Sequence, residues 1–202
     1  MASWGVFCQS IPKGNELEFR IGRRVNGALH TTIAEDVFER LRKRLHAFPG
    51  WEGIQHSETE CYRTGSIRME EDDVGMRIVT EKIRLGTRDF EIPQTQWVVR
   101  IASSNEVVAS PVAWKETFLK KRESFLRKGV RIDLTTLTSE DGDDEEPVKH
   151  LVEVEVLDPD AARDAREWDR ITWKVFDVLR CMEEPFPNHD VERAWFETSK
   201  PC

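Results

Sequence analysis

No stretch of this sequence is apolar for long enough to cross a bilayer, so no membrane-spanning helix is expected. Cysteine is sparse: Cys8, Cys61, Cys181 and Cys202 are scattered without a C-x-x-C pair, and the five histidines form no ligand cluster near them. Free thiols in a reducing compartment are the expectation. A Ser-His-Asp spacing is also missing, and Cys8 and Cys61 have no basic or histidine neighbour in sequence that would activate a thiolate, so a protein nucleophile is not expected. The first residues, Met1 to Cys8, lack the basic segment and apolar run of a secretory signal, and export is not expected. Positive charge is in deficit: 30 basic residues against 38 acidic ones leave a net charge of −8. That argues against a general nucleic-acid coat, so any basic site must be local. At 202 residues and 23.5 kDa the chain suits a single domain with a real core.

What the chain does have is alternation. In Glu16-Leu17-Glu18-Phe19-Arg20-Ile21, charged and apolar residues alternate with the period of a strand, placing Glu16, Glu18 and Arg20 on one face. Same-face neighbours stand about 7 Å apart along such a strand. An isolated half-solvated strand gives the same alternation, but further strands repeat it with other signs. Between Gly53 and Val108 the sequence reads as strands over 54–63, 66–70, 76–85, 90–92 and 97–106, with 71–75 and 86–89 as hairpin loops. Their polar positions hold Ser66 and Arg68, then Thr80, Lys82 and Arg84, then Arg100, Ser104 and Glu106. Residues 115–125 form the most basic strand, with Lys120, Arg122 and Ser124 on one side; seven basic and two acidic residues between Lys115 and Arg131 give a local charge of +5. A strand from Val130 groups Arg131, Asp133 and Thr135. The last, from His150 to Val156, mirrors the first, with Glu153 and Glu155 on one face and three valines on the other.

Two helices are expected. Thr32-Ile-Ala-Glu35 reads as a capping box ahead of an apolar stripe of Val37, Phe38, Leu41, Leu45 and Phe48, which Pro49-Gly50 ends. Asp158-Pro159 is expected to start a longer helix with Ala165, Trp168, Ile171, Val175, Val178, Leu179 and Met182 on its buried side. The six acids within Ser139 to Pro147 read as a hairpin loop, and no function is assigned to it or to the tail holding Trp195 and Phe196.

Eight or so antiparallel strands with two amphipathic helices can make a flat sheet or a closed barrel. Closure is preferred because it removes sheet edges and lets Glu rows face Lys/Arg rows across a narrow bore, with apolar residues outside under the helices. Such a bore suits a polyanion together with a divalent cation.

These residues together resemble the triphosphate tunnel metalloenzymes, and within them the fungal, protozoal and viral type of mRNA-capping RNA 5′-triphosphatase. The likeness covers about residues 14–157 and rests on Glu16-x-Glu18, Gly65-Ser-Ile-Arg68, Glu81-Lys82-Ile-Arg84, Arg100 with Glu106, Lys120-x-Arg122-x-Ser124, Arg131-x-Asp133-x-Thr135 and Glu153-x-Glu155. The sequence departs from the family pattern at three places. Leu151 stands where a third alternating glutamate is frequent, Phe118 stands where another basic residue often opens its strand, and Arg20 replaces the Lys favoured by the thiamine-triphosphatase and class IV cyclase branch.

The resemblance implies a single α+β domain: a closed eight-stranded antiparallel tunnel with flanking helices, a C-terminal helix over about 159–183 and a tail over 185–202. It implies that Glu16, Glu18 and Glu155 bind Mg²⁺ or Mn²⁺. Arg68, Lys82, Arg100, Lys120 and Arg122, with Arg20, Arg84 and Arg131, would grip the triphosphate. Glu106 and Glu153 would hold the attacking water or orient the basic residues, and Asp133, Thr135 and Ser124 would brace them. The expected reaction is attack of water on triphosphate-ended RNA, giving 5′-diphosphate RNA and inorganic phosphate, in partnership with a guanylyltransferase. A monomer is expected, in the nucleus, or in the cytoplasm for a viral member. Two other readings stay open: a tunnel phosphohydrolase of tripolyphosphate, thiamine triphosphate or nucleoside triphosphates, and a non-catalytic phosphate- or RNA-binding barrel.

Overall fold

The computed structural model describes residues 15–139 and 148–183. The acidic segment 140–147, Cys8, Cys202 and the tail with Trp195 and Phe196 lie outside the described residues. Among the described residues nine strands form: β1 (Glu16–Val25), β2 (Ala28–His30), β3 (Gly53–Thr64), β4 (Ile67–Glu71), β5 (Arg77–Glu91), β6 (Trp97–Val108), β7 (Glu116–Arg127), β8 (Val130–Ser139) and β9 (Lys149–Val156). Every pairing is antiparallel, in the order β1-β6-β5-β4-β3-β7-β8-β9, and β9 pairs back with β1. Eight strands therefore close into a barrel, and the short β2 pairs with the far end of β1.

The seam between β1 and β9 sets Glu18 opposite Glu155 and Arg20 opposite Glu153. Because the side-chain period is two, this register sends all four charged residues to one face and Leu17, Phe19, Val154 and Val156 to the other. The apolar side is the core. It joins the outer faces of β1, β6, β8 and β9, with Phe125 of β7, to two helices, α1 (Glu35–Ala47) and α2 (Ala165–Met182). Trp168 is fully buried and stacks on Phe19 at 6.0 Å between ring centroids, while His46 and Trp51 pack on Phe125. Full burial of a large apolar side chain contributes about 1.5–3 kcal/mol, so this row of contacts fixes which face of the sheet turns outward. The helices cover only this arc. On the outer faces of β3 and β5, Ile54, Ile83 and Leu85 stay exposed, so the expectation that helices cover the apolar exterior holds for part of the barrel.

Three local expectations are corrected. Residues 86–89 are no hairpin loop: β5 runs on to Glu91, with a bulge between Arg84 and Gly86. The extra residue, Leu85, switches the inward set from even to odd numbers, so Lys82 and Arg84 face the bore before it and Asp89 after it. The capping box at Thr32 does not form either. Ile33 donates its backbone N–H to His150 O at 2.8 Å, which keeps this segment extended along β9, and α1 starts after Ala34 without a side-chain cap. Likewise Asp158-Pro159 precedes a single 3₁₀ turn, Ala161–Arg163. Asp164 then caps α2 by accepting from the backbone N–H groups of Arg166 and Glu167, at 2.9 and 3.2 Å.

Tight backbone shapes one end of the bore. Asn26 and Gly27 both have positive φ and turn β1 into β2, as an Asn-Gly hairpin does. The returning strand then passes so close that a Cβ on Gly22 would stand 2.3 Å from His30 O.

Candidate functional site

The bore is lined by the alternate residues that the register turns away from the core. β1 contributes Glu16, Glu18 and Arg20; β9 contributes Glu153 and Glu155; β8 contributes Arg131, Asp133 and Thr135; β7 contributes Lys120, Arg122 and Ser124. From β4, β5 and β6 come Arg68 and Glu70, Lys82 and Arg84, and Arg100, Ser104 and Glu106. Two cavities open along this lining, of about 580 and 260 Å³.

Three carboxylates gather on one cation. The Lys82 Nζ stands 2.9 Å from Glu16, 3.3 Å from Glu18 and 3.7 Å from Glu106. Ser104 donates its hydroxyl to Glu16 at 3.0 Å, and Glu106 is also paired with Arg68. Burial works against the ionised form of Glu16, but the hydrogen bond and charge of Lys82, with the Ser104 hydroxyl, outweigh it and hold the carboxyl below its usual range. Glu16 and Glu18 in turn push the Lys82 ammonium up against the same burial.

Across the seam the balance goes the other way. Burial, and then the charge of Glu153, pushes Glu18 up despite Arg20 and Lys82, and burial pushes Glu155 up despite Arg131. Glu18 and Glu155 are therefore acids held in a place that disfavours their charge. Arg20 bridges Glu18 and Glu153, both at 2.8 Å. Arg131 joins Asp133 at 3.0 Å to Glu155, and Arg122 reaches Asp133 at 3.3 Å, Glu153 at 3.7 Å and the Thr135 hydroxyl at 3.2 Å. Asp133 is only 1 % exposed and also accepts from the Ser124 hydroxyl at 2.6 Å. Asp133 and Thr135 thus contact guanidinium groups directly, and Ser124 holds the Asp133 carboxylate.

Two expected residues stand apart. Arg100 faces the bore but is held by both oxygens of Asp89, at 2.7 and 2.9 Å, outside the ion-pair network of Glu18 and Glu153. Arg84 is exposed at the lumen wall and has no carboxylate partner among the described residues. Two acids of the lining went unread. Glu70 holds Lys120 at 2.8 Å and lies 3.7 Å from Arg68; against burial, Lys120 keeps its carboxyl below the usual range. Its signal was present in Arg68-x-Glu70. Asp89 was hidden by the bulge. Cys61 also faces the lumen, and burial pushes its thiol up, which suits an inert thiol.

Among the described residues no three Asp, Glu, His or Cys side chains form a ready metal cluster. The donor chemistry still fits a hard divalent cation. The carboxylates of Glu16, Glu18 and Glu106 already converge on one positive charge, and Glu155 stands opposite Glu18 in the strand register.

No family model matches the sequence, and no curated protein does. Solved structures do match. The chain is similar to the S. pombe Pct1 RNA triphosphatase, with a TM-score of 0.71 and 17% identity over 91% of this chain and 90% of that one. A second Pct1 structure, in complex with the Spt5 CTD, gives 0.72 and 17% identity over 90% of each chain. The Mimivirus capping enzyme triphosphatase gives 0.61 and 13% identity over 89% of this chain and 94% of that one. The architecture expected from the resemblance is thus the one the chain has: the closed antiparallel tunnel of these RNA triphosphatases.

Proposed function

We propose that this protein is a divalent-metal-dependent RNA 5′-triphosphatase that removes the γ-phosphate of nascent mRNA in the first step of cap formation. The observation that carries the reading is the lining itself: carboxylates from the first and last barrel strands face a wall of Arg68, Lys82, Lys120 and Arg122, all inside one closed tunnel. The likeness in fold to the Pct1 and Mimivirus triphosphatases supports it.

In this reading Glu16, Glu18 and Glu155 hold Mg²⁺ or Mn²⁺. The ion supplies charge neutralisation at the phosphate oxygens. The chain's own residues do the rest. Lys120 and Arg122, presented on one strand, grip the triphosphate, while Arg68, Lys82, Arg20 and Arg131 complete the positive wall. Loss of the γ-phosphoryl group spreads charge over its oxygens, and fixed cations stabilise that charge without reorganising. Water attacks phosphorus, the bond to the β-phosphate oxygen breaks, and the products are 5′-diphosphate RNA and inorganic phosphate. Glu106 and Glu153 orient the cations they are paired with, which keeps the phosphate in line with the water.

Partners are inferred from the neighbours' chemistry. Pct1 is solved with the Spt5 CTD, and the Mimivirus domain belongs to a trifunctional mRNA capping enzyme. This chain would accordingly act beside a guanylyltransferase, in the nucleus or, for a viral protein, in the cytoplasm. The gripping residues recognise phosphate, which also suits inorganic tripolyphosphate, thiamine triphosphate or free nucleotides. The test is release of labelled γ-phosphate from triphosphate-ended RNA with and without Mn²⁺, run beside these substrates. Metal-dependent release from RNA, lost in Glu18→Ala, is expected. Release from inorganic chains alone, or none from any substrate, overturns the assignment.

A further inference from the structure

The bore is not ionic throughout. Toward one mouth, Cys61, Phe118, Leu137 and Leu151 face the lumen and line the same cavity of about 260 Å³ as Lys120 and Arg122. All four apolar side chains are half-buried, so they form a lumen surface rather than a core. The Phe118 ring borders this space with two cations over it, which a base would have to share or displace. The Arg63 guanidinium stands 5.7 Å and the Lys149 ammonium 5.8 Å from the ring centroid. Apolar wall is costly in a tunnel built for phosphate, and a phosphate chain has no use for it.

We propose that this end of the tunnel is a nucleobase subsite, in which Phe118 stacks on the base of the nucleotide that carries the triphosphate. The inference rests on the function proposed above and adds a direction to it. Phe118, Lys120 and Arg122 are alternate residues of β7, so they present a ring and two cations to the lumen in steps of about 7 Å. Arg122 is the step nearest the seam acids, through Glu153. A ligand with its γ-phosphate at Arg122 and its next phosphate at Lys120 carries its nucleoside to Phe118. The leucines at 137 and 151 exclude water from the edges of the base, and an aromatic face takes any base, as a processing enzyme acting on many transcripts requires. The substrate then comes in, and the shortened RNA leaves, by the mouth that the β3–β4 turn borders.

The test compares inorganic tripolyphosphate, ATP and a short triphosphate-ended RNA. In Phe118→Ala, KM for ATP and for the RNA is expected to rise about tenfold, the size of one lost stacking contact, while KM for tripolyphosphate moves less than twofold. Phe118→Trp is expected to keep the low KM, which separates stacking from a folding defect in the alanine variant. Metal-free competition binding, in EDTA, gives the second readout with the same selectivity. An equal loss for all three ligands, or no loss for any, overturns the subsite. If the parent protein hydrolyses none of them with Mn²⁺, the proposed function fails. The subsite is then decided by binding alone: loss of ATP over tripolyphosphate upholds it, and equal loss overturns it.

Discussion

Glu18 of β1 and Glu155 of β9 are direct partners across the seam that closes the barrel, and burial raises the pKa of both. The join that completes the fold therefore also brings together two carboxyls whose ionised form burial disfavours. Under the proposed function this is a cost in stability borne for the site.

Glu18→Gln tests that trade. Turnover is expected to fall at least a hundredfold, while the melting temperature stays the same or rises by a few degrees, at roughly 2–4 °C per kcal/mol for a domain of this size. Lys82 retains Glu16 and Glu106 in this variant, so no cation is stranded. A drop in melting temperature together with unchanged turnover would contradict the seam's role. Thermal melts and γ-phosphate release on the same preparation measure both.

Glu123 gives a pH prediction away from the bore. Its side chain is nearly buried, and although burial opposes ionisation, hydrogen bonds from Arg42 at 2.9 Å and His46 at 2.7 Å hold its carboxyl below the usual value of 4.5. A carboxyl with a depressed folded pKa is stabilising above its unfolded value, and the contribution is lost as pH falls through the folded one. Denaturation midpoints in urea are expected to be flat from pH 7 to about 5 on this account and to fall below 4.5. In Glu123→Gln this part of the acid limb should disappear, with a lower plateau at neutral pH.

Arg122 and Arg100 are chemically alike and differently held. Arg122 touches Asp133, Glu153 and Thr135 inside the network, whereas among the described residues Arg100 is clamped by Asp89. Arg122→Ala is therefore expected to lower kcat/KM at least a hundredfold, and Arg100→Ala less than tenfold. Asp89→Asn should release Arg100 and change kcat/KM by a similarly small factor. Steady-state kinetics of the three variants decides it, and equal losses for both arginines would place Arg100 on the substrate.

Gly22 should tolerate no side chain. A Cβ there meets the carbonyl oxygen of His30 at 2.3 Å, which is backbone and cannot rotate away. Gly22→Ala is expected to destabilise by about 1–3 kcal/mol, the usual cost of forcing atoms into filled space. The same change at Gly27, which has open space but positive φ, should cost less. Chemical denaturation of both variants orders them.

Much of this was legible because strand periodicity assigns faces without needing the fold. Glu16-x-Glu18, Lys120-x-Arg122, Arg131-x-Asp133 and Glu153-x-Glu155 each announce a charged face, and closure brings those faces together. What failed depended on single residues that break the period or on contacts made from far away. Leu85 inserts itself into β5, so everything after it changes face, and Gly86 looked like a turn because a bulge and a turn both favour glycine. The start of α1 shifted because Ile33 found a backbone partner in His150, more than a hundred residues on. Pairings such as Arg100 with Asp89 are choices among several nearby acids, which alternation leaves undecided.

The β1–β9 join also has a consequence for how the molecule comes into being. Its two partners are more than a hundred residues apart in the chain, so loop-closure entropy must be overcome before that contact returns anything. A growing polypeptide that has made the first strand must wait for the last before either carboxylate row meets its counterpart. The charged bore then forms in one step, once the last barrel strand has been made, and refolding in about milliseconds to seconds follows from the same topology.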